Sequence, residues 1–140
     1  MLFRSRLKAG DPKALDAGIA DMFVEADKLL AEFHKAAPRA QLGLCLTTPP
    51  NDRDGAFVAN YKTNYPRWNW RQVQHRLVER QLEHFSGRER EGIFIVPTEL
   101  NLDTFAGYPD NNAVHPNKTG YQQIGASIFA WLKSRLAATY

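Results

Sequence analysis

The residues whose types and spacing could do chemistry are concentrated in one stretch, Tyr108–Tyr121, which reads Y-P-D-N-N-A-V-H-P-N-K-T-G-Y. His115 is its centre, because an imidazole titrates near neutrality and suits proton transfer. Asp110 and Asn112 lie just before it. Either could orient the ring by hydrogen bonding, or simply close a turn through its side chain. Pro116, Asn117 and Gly120 follow, and an amphipathic helix begins at once. A polar residue three positions before a His-Pro, on a loop leading into a helix, places a general base at the rim of a fold. The bland alternative is a histidine that caps its own loop. His34, His75, His84 and His115 show no ligand pairing and there is no Cys cluster, so no metal site is expected. No glycine-rich phosphate loop is present, and no cofactor is expected.

The elements that must position this loop can be read in order. Met1–Gly10 is short and basic. Asp11-Pro12 is a helix start, with Asp as N-cap and Pro in the first turn. Ile19, Met22, Phe23, Ala26, Leu30 and Phe33 recur at steps of three and four, predicting a helix over Pro12–Lys35 that stops before Pro38. Gln41–Thr47, Q-L-G-L-C-L-T, is a short apolar run that fits a strand buried on both faces of a parallel sheet, with Cys45 in the core. Asp52–Thr63 is polar and loop-like. Helical spacing returns over Trp68–Phe85, where Trp70, Val73, Leu77, Leu82 and Phe85 form a stripe and Ser86-Gly87 a stop. Ile93–Pro97 is a second buried strand. After the loop Thr98–Lys118, Tyr121, Ile124, Ile128, Trp131, Leu132 and Leu136 define a last helix with Thr119 as its N-cap.

Helix, strand, helix, strand, helix is an α/β order, and the two strands should be parallel through a right-handed crossover. Two parallel strands are too few for a stable sheet, and strands apolar on both faces need neighbours at their edges. Either further strands go unread, or they come from another chain, or the chain is part of a longer α/β domain; of these, self-association through a sheet edge or through apolar helix faces is expected, making the protein a homo-oligomer. The chain has 140 residues, enough for one domain with its own core, spanning 1–140. A net charge of +3 with both signs interspersed gives no basic block, and no nucleic-acid partner is expected. The single Cys45 cannot form an internal disulfide. The N-terminus MLFRSRLKAGD has no long apolar core, so neither a signal peptide nor a membrane partner is expected and the location is read as cytoplasmic; a leader removed earlier would leave no trace.

The final loop resembles that of the SGNH (GDSL-type) hydrolases, whose last motif is Asp-x-x-His-Pro followed by Gly-Tyr and a terminal helix. The matching residues are Asn112-Ala113-Val114-His115-Pro116 and Gly120-Tyr121. Upstream, A-A-P-R-A leading into L-G-L-C-L-T and T-P-P-N, and then F-I-V-P-T-E-L-N-L-D-T-F-A-G-Y-P, fit the same family's C-terminal half. The resemblance implies a three-layer, flavodoxin-like parallel sheet, here N-terminally truncated relative to the family. It implies an ester hydrolase acting on small-molecule or carbohydrate esters without a metal or organic cofactor, with His115 as base. Three departures stand out. The Gly-Asp-Ser nucleophile motif and the Gly-x-Asn-Asp motif are absent, and Asn112 occupies the usual Asp position.

An ester hydrolase of this kind needs an activated serine, a base and oxyanion donors. The serines are Ser5, Ser86, Ser127 and Ser134, and none stands in a strand-to-helix elbow context. Cys45 reads as a structural thiol. Asp103, Tyr108 and Asn60 are candidates to line a cleft beside His115. Arg67-Trp68-Asn69-Trp70-Arg71, continuing to Arg76 and Arg80, could be a stacking surface, but reads better as a helix start whose Trp anchors the core. Two further functions stay in view: an inactive remnant serving as an oligomeric binding or assembly module, and a nucleic-acid binder built on the Arg/Trp stretch.

Overall fold

Asp11 caps the first helix by accepting the Ala14 amide at 3.0 Å, and Pro12 occupies its first turn, where a missing N–H costs nothing. This helix, α1, runs Pro12–Ala36 in the computed structural model, which describes residues 11–138. Strand β1 (Leu42–Cys45), helix α2 (Asp54–Tyr61), helix α3 (Arg67–Phe85), strand β2 (Ile93–Val96) and helix α4 (Lys118–Ala137) follow. A 3-10 turn, Glu89–Glu91, leads into β2 through Gly92, whose left-handed backbone (φ 76°) suits glycine.

The strands pair in parallel, with Leu42 opposite Ile93 and Cys45 opposite Val96. Among the described residues they form a two-stranded sheet. One face of it carries Leu42, Leu44, Ile93 and Ile95. This face packs under Leu15, Ile19, Phe23 and Leu30 of α1 and Val73, Leu77 and Phe85 of α3. On the other face Gly43 lies against the Trp131 ring of α4, where an added Cβ would stand 2.9 Å from the indole. Fully burying side chains of this size contributes roughly 1.5–3 kcal/mol each, so α1 and α3 hold the sheet chiefly by apolar contact. Ion pairs set their register. Arg76 grips Asp16 with two bonds of 2.7 Å, and Asp27 accepts from Arg88 at 2.6 Å beside the His84 ring nitrogen at 2.8 Å.

The chain is thus mixed α/β, with four α-helices among the described residues where periodicity predicts three. The additional helix is α2, inside the segment Asp52–Thr63 expected to be a loop. Its own sequence makes a poor helix: Arg53 provides no side-chain cap, and no apolar stripe marks it. Tertiary contacts create it instead. Ala56 and Phe57 are buried, and Phe57 packs in an aromatic cluster with Trp70 and Tyr61. Three other expectations are corrected. Asn117 rather than Thr119 caps α4, its side chain accepting the Gly120 amide at 3.1 Å. Leu82 faces solvent instead of joining the α3 stripe. Cys45 is exposed rather than in the core; among the described residues no strand lies beyond β1. No described helix is long and apolar enough to cross a membrane.

Burial alone would raise the Asp27 carboxyl, but the hydrogen bonds from Arg88 and His84 outweigh it and hold the group below the usual carboxylate range. A depressed folded pKa gives stability that is whole above the unfolded value of about 3.9 and is lost as pH falls through the folded value. Asp27→Asn should therefore cost about 1 kcal/mol at neutral pH, the pair being partly screened by solvent. Urea midpoints of variant and wild type should converge as the pH drops below about 3. A gap that stays constant across that range would refute the linkage.

Candidate active site

Both strands run in the same direction, so the chain leaves each at the same end of the sheet, where open α/β sheets bind ligands. Two loops meet there: residues 46–53 after β1 and 97–117 after β2. Their junction is built on Asn51, which is fully buried. Its side-chain amide donates to the carbonyls of Pro109 and Asn112, both at 2.9 Å. Its side-chain oxygen accepts the Arg53 amide at 2.9 Å, and its own backbone amide donates to the Ala113 carbonyl at 2.9 Å. One side chain thus satisfies two half-buried carbonyls of the histidine loop's turn, groups that would be costly to leave unpaired.

Further ties surround it. The Tyr108 hydroxyl donates to the Pro49 carbonyl, and the Thr98 hydroxyl to that of Leu46 at 2.6 Å. Asn60 of α2 accepts the Ala113 amide at 2.7 Å and donates to the Asn111 carbonyl at 3.1 Å. Arg53 lies over the Phe105 ring, donates to the Phe105 carbonyl at 2.6 Å, and pairs with Asp110 at 3.1 Å. Asp52 gathers Arg67, Arg71 and the Thr104 hydroxyl. At the far end, the Asn117 amides bond to the Gly107 and Ala106 carbonyls at 2.9 Å, and a Cβ at Gly120 would overlap the Gly107 carbonyl oxygen. That close approach is the physical reason for glycine in the His-Pro…Gly-Tyr pattern.

Within this frame Ala113 is fully buried, and Val114 packs against the Phe57–Trp70 cluster. His115, next along, is exposed. Asn112 does not reach the ring: its side-chain oxygen accepts the Val114 and His115 amides at 3.1 and 2.9 Å, fixing the turn. Asp110 is turned to Arg53 and solvent. No hydrogen bond to the His115 ring exists among the described residues. Of the residues placed in a cleft beside it, Asn60 and Tyr108 are ties of the loop. Asp103 accepts the Phe105 and Ala106 amides at 2.7 and 2.8 Å, and these bonds hold its carboxyl below the usual range.

The serines lie elsewhere. Ser127 is buried on α4, Ser134 is exposed on the same helix, and Ser86 follows α3; Ser5 is outside the described residues. Burial pushes the Cys45 thiol up, and its hydrogen bond with Thr98 offsets this only in part, so it is no activated nucleophile. In the Arg/Trp stretch Trp70 is buried as expected and Trp68 is exposed under Arg67, whose guanidinium stands 4.4 Å from the ring centroid. Arg67 and Arg71 are committed to Asp52, and Arg76 to Asp16. A separate cleft of about 320 Å³ opens between α3 and the loop after β2, lined by Arg71, Gln74, His75, Glu99, Leu100 and Thr104. Gln74, buried, bridges its two sides by donating to the Thr47 carbonyl at 2.8 Å and to Glu99 at 3.2 Å. Sequence reasoning passed over Asn51, Asp52 and Arg53; the abrupt T-P-P-N-D-R at the end of β1 was their signal. Among the described residues no group of acidic, His and Cys side chains is arranged to hold a metal.

Fold and site define a mixed α/β chain that presents an exposed histidine on a braced turn at the carboxyl ends of parallel strands. Neither a scan of family models nor searches of curated proteins and of solved structures return a match.

Asn51→Ala should cost about 3 kcal/mol, because it orphans two half-buried carbonyls and one amide at once. Amide exchange over residues 107–117 should accelerate more than in α1. Unchanged protection of that loop would show that Asn51 does not brace it.

Proposed function

We propose that the chain carries the base-bearing part of an SGNH-type ester hydrolase, with the flavodoxin-like three-layer arrangement of that family and His115 as general base. The observation that carries this reading is the braced turn: Asn51, Asn60 and Arg53 hold residues 109–113 so that the His-Pro segment emerges at the strand ends. Helices on both faces of a parallel sheet also support it.

The chemistry would run as acyl transfer to a serine. His115 accepts the serine proton as the hydroxyl oxygen attacks the ester carbonyl, then returns it to the departing alcohol. Water reverses the sequence to release the acid. Asn112 serves this step by fixing the backbone at His115. Neither it nor Asp110 stands at the ring as a carboxylate partner, so imidazolium formation is less stabilised than in a Ser-His-Asp triad. The nucleophile is Ser5 or a serine from another chain. The substrates that suit the reading are acyl esters of small alcohols or acetylated carbohydrates, with neither metal nor organic cofactor.

A second reading is an assembly module without catalysis. It is favoured by the placement of Ser86, Ser127 and Ser134 on or beside helices, away from the strand ends. A fluorophosphonate probe followed by intact-mass measurement separates the two. The hydrolase reading expects one adduct, lost in His115→Ala, with ester turnover falling about 10²- to 10⁴-fold while the circular dichroism is unchanged. No adduct on folded protein would overturn it in favour of the module.

A further inference from the structure

We propose that the cleft between α3 and the loop after β2 binds a small primary alkylammonium ligand, held by Glu99 and Gln74. The inference stands whether or not the chain hydrolyses esters.

The cleft has a volume of about 320 Å³, at the lower end of ordinary ligand pockets. Its wall after β2 is braced by bonds of its own. The Thr98 hydroxyl donates to the Leu46 carbonyl, Asn101 and the Asp103 amide are tied to Gln123 of α4, and the Thr104 hydroxyl donates to Asp52. Leu102 is buried among these ties. Glu99 therefore sits on a segment whose shape is set without a ligand.

Two acceptors of the cleft have capacity to spare. Gln74 is 2% exposed, and both its N–H bonds are spent, on the Thr47 carbonyl at 2.8 Å and on Glu99 at 3.2 Å. A carbonyl can only accept, which fixes which end of the carboxamide is nitrogen. Among the described residues no group donates to the Gln74 side-chain oxygen, and a buried acceptor left so is costly. Glu99 is half-buried, and among the described residues no cationic side chain pairs with it. The neighbouring charges are matched to one another. Arg67 and Arg71 share Asp52, Arg67 also takes Asp54, and His75 is turned to Glu79 at 3.4 Å. Glu99 is thus left to the ligand.

An unmatched carboxylate beside a buried acceptor selects a cation that donates more than one hydrogen bond. A primary ammonium has three N–H donors on one atom. It can reach both groups. The oxygen and nitrogen of a carboxamide are about 2.2 Å apart, which places the Gln74 oxygen within about 5.4 Å of the Glu99 oxygen that its nitrogen touches. Two charge-assisted bonds of about 2.8 Å span up to about 5.6 Å. Pro49, Leu100 and Leu102 line the same cleft and offer apolar surface to the alkyl part; Leu100 is otherwise 81% exposed.

The test is a titration of the isotope-labelled full chain with n-butylammonium chloride at pH 7, where a primary amine is protonated. Amide resonances of residues 71–75 and 98–104 should shift saturably, with a midpoint of about 1–10 mM for so small a ligand. Neutral 1-butanol, and butyltrimethylammonium, which has the charge but no N–H, should each bind at least about tenfold more weakly. Glu99→Gln keeps an acceptor for Gln74 and removes the charge. It should weaken butylammonium binding at least about tenfold, with resonances away from the cleft unchanged. The proposal is overturned by the absence of a saturable shift in wild type, by equal binding of 1-butanol or butyltrimethylammonium, or by undiminished binding to the Glu99→Gln protein.

Discussion

The arrangement depends on one buried amide. Asn51 stands where β1 ends and the chain must turn away from the sheet, and it is the group that joins that turn to the loop after β2. A carboxamide suits the position because it donates and accepts at once. Two carbonyls of the histidine loop need donors, and the Arg53 amide needs an acceptor. An aspartate could accept but not donate to both carbonyls. The two prolines before it, Pro49 and Pro50, stop the strand and lack N–H groups that would otherwise need partners at this crowded site. The histidine loop has little helix or strand of its own, and its rigidity is borrowed from this contact and its neighbours.

A second constraint comes from the sheet. Parallel strands usually bury both faces; here Leu42, Leu44, Ile93 and Ile95 meet α1 and α3, while on the other face Gly43 meets Trp131 but Gly43 and Cys45 stay exposed. Among the described residues, no strand pairs with the outer edge of β1. The same strand that is packed above and below leaves Gly43 and Cys45 facing outward in the plane of the sheet.

Much of this was legible in the order of residues, and the reasons differ from element to element. Helix α1 carried its local signals together: an Asp-Pro start, a stripe that holds from Ile19 to Leu30 although its last member, Phe33, is exposed, and a proline after its end. The strands were legible as apolar runs between turn residues. Helix α2 was not, because its helicity depends on Phe57 reaching Trp70, and nothing in eight residues with little amphipathic pattern announces a distant partner. The N-cap of α4 was misplaced by two residues because Asn117 and Thr119 are both good caps, and the choice falls to Asn117's other bonds, to the Gly107 and Ala106 carbonyls. In the candidate site, His115, Asn112 and Gly120 were legible as a motif. Their supports were not, since Asn51 and Asn60 lie more than 50 residues away from the carbonyls and amides they bind.

The site itself separates two tasks that a histidine base needs: holding the backbone and tuning the ring. Asn112 could have done the second; it does the first, with its oxygen spent on the Val114 and His115 amides. Asp110, the other candidate, is drawn to Arg53, whose guanidinium offers a permanently charged partner. The loop therefore invests all its local polar groups in shape, and leaves the ring free to take its orientation from whatever approaches it. The histidine is thus positioned through its backbone, with no hydrogen bond to its ring among the described residues. Every described serine, by contrast, is committed to a helix or its end.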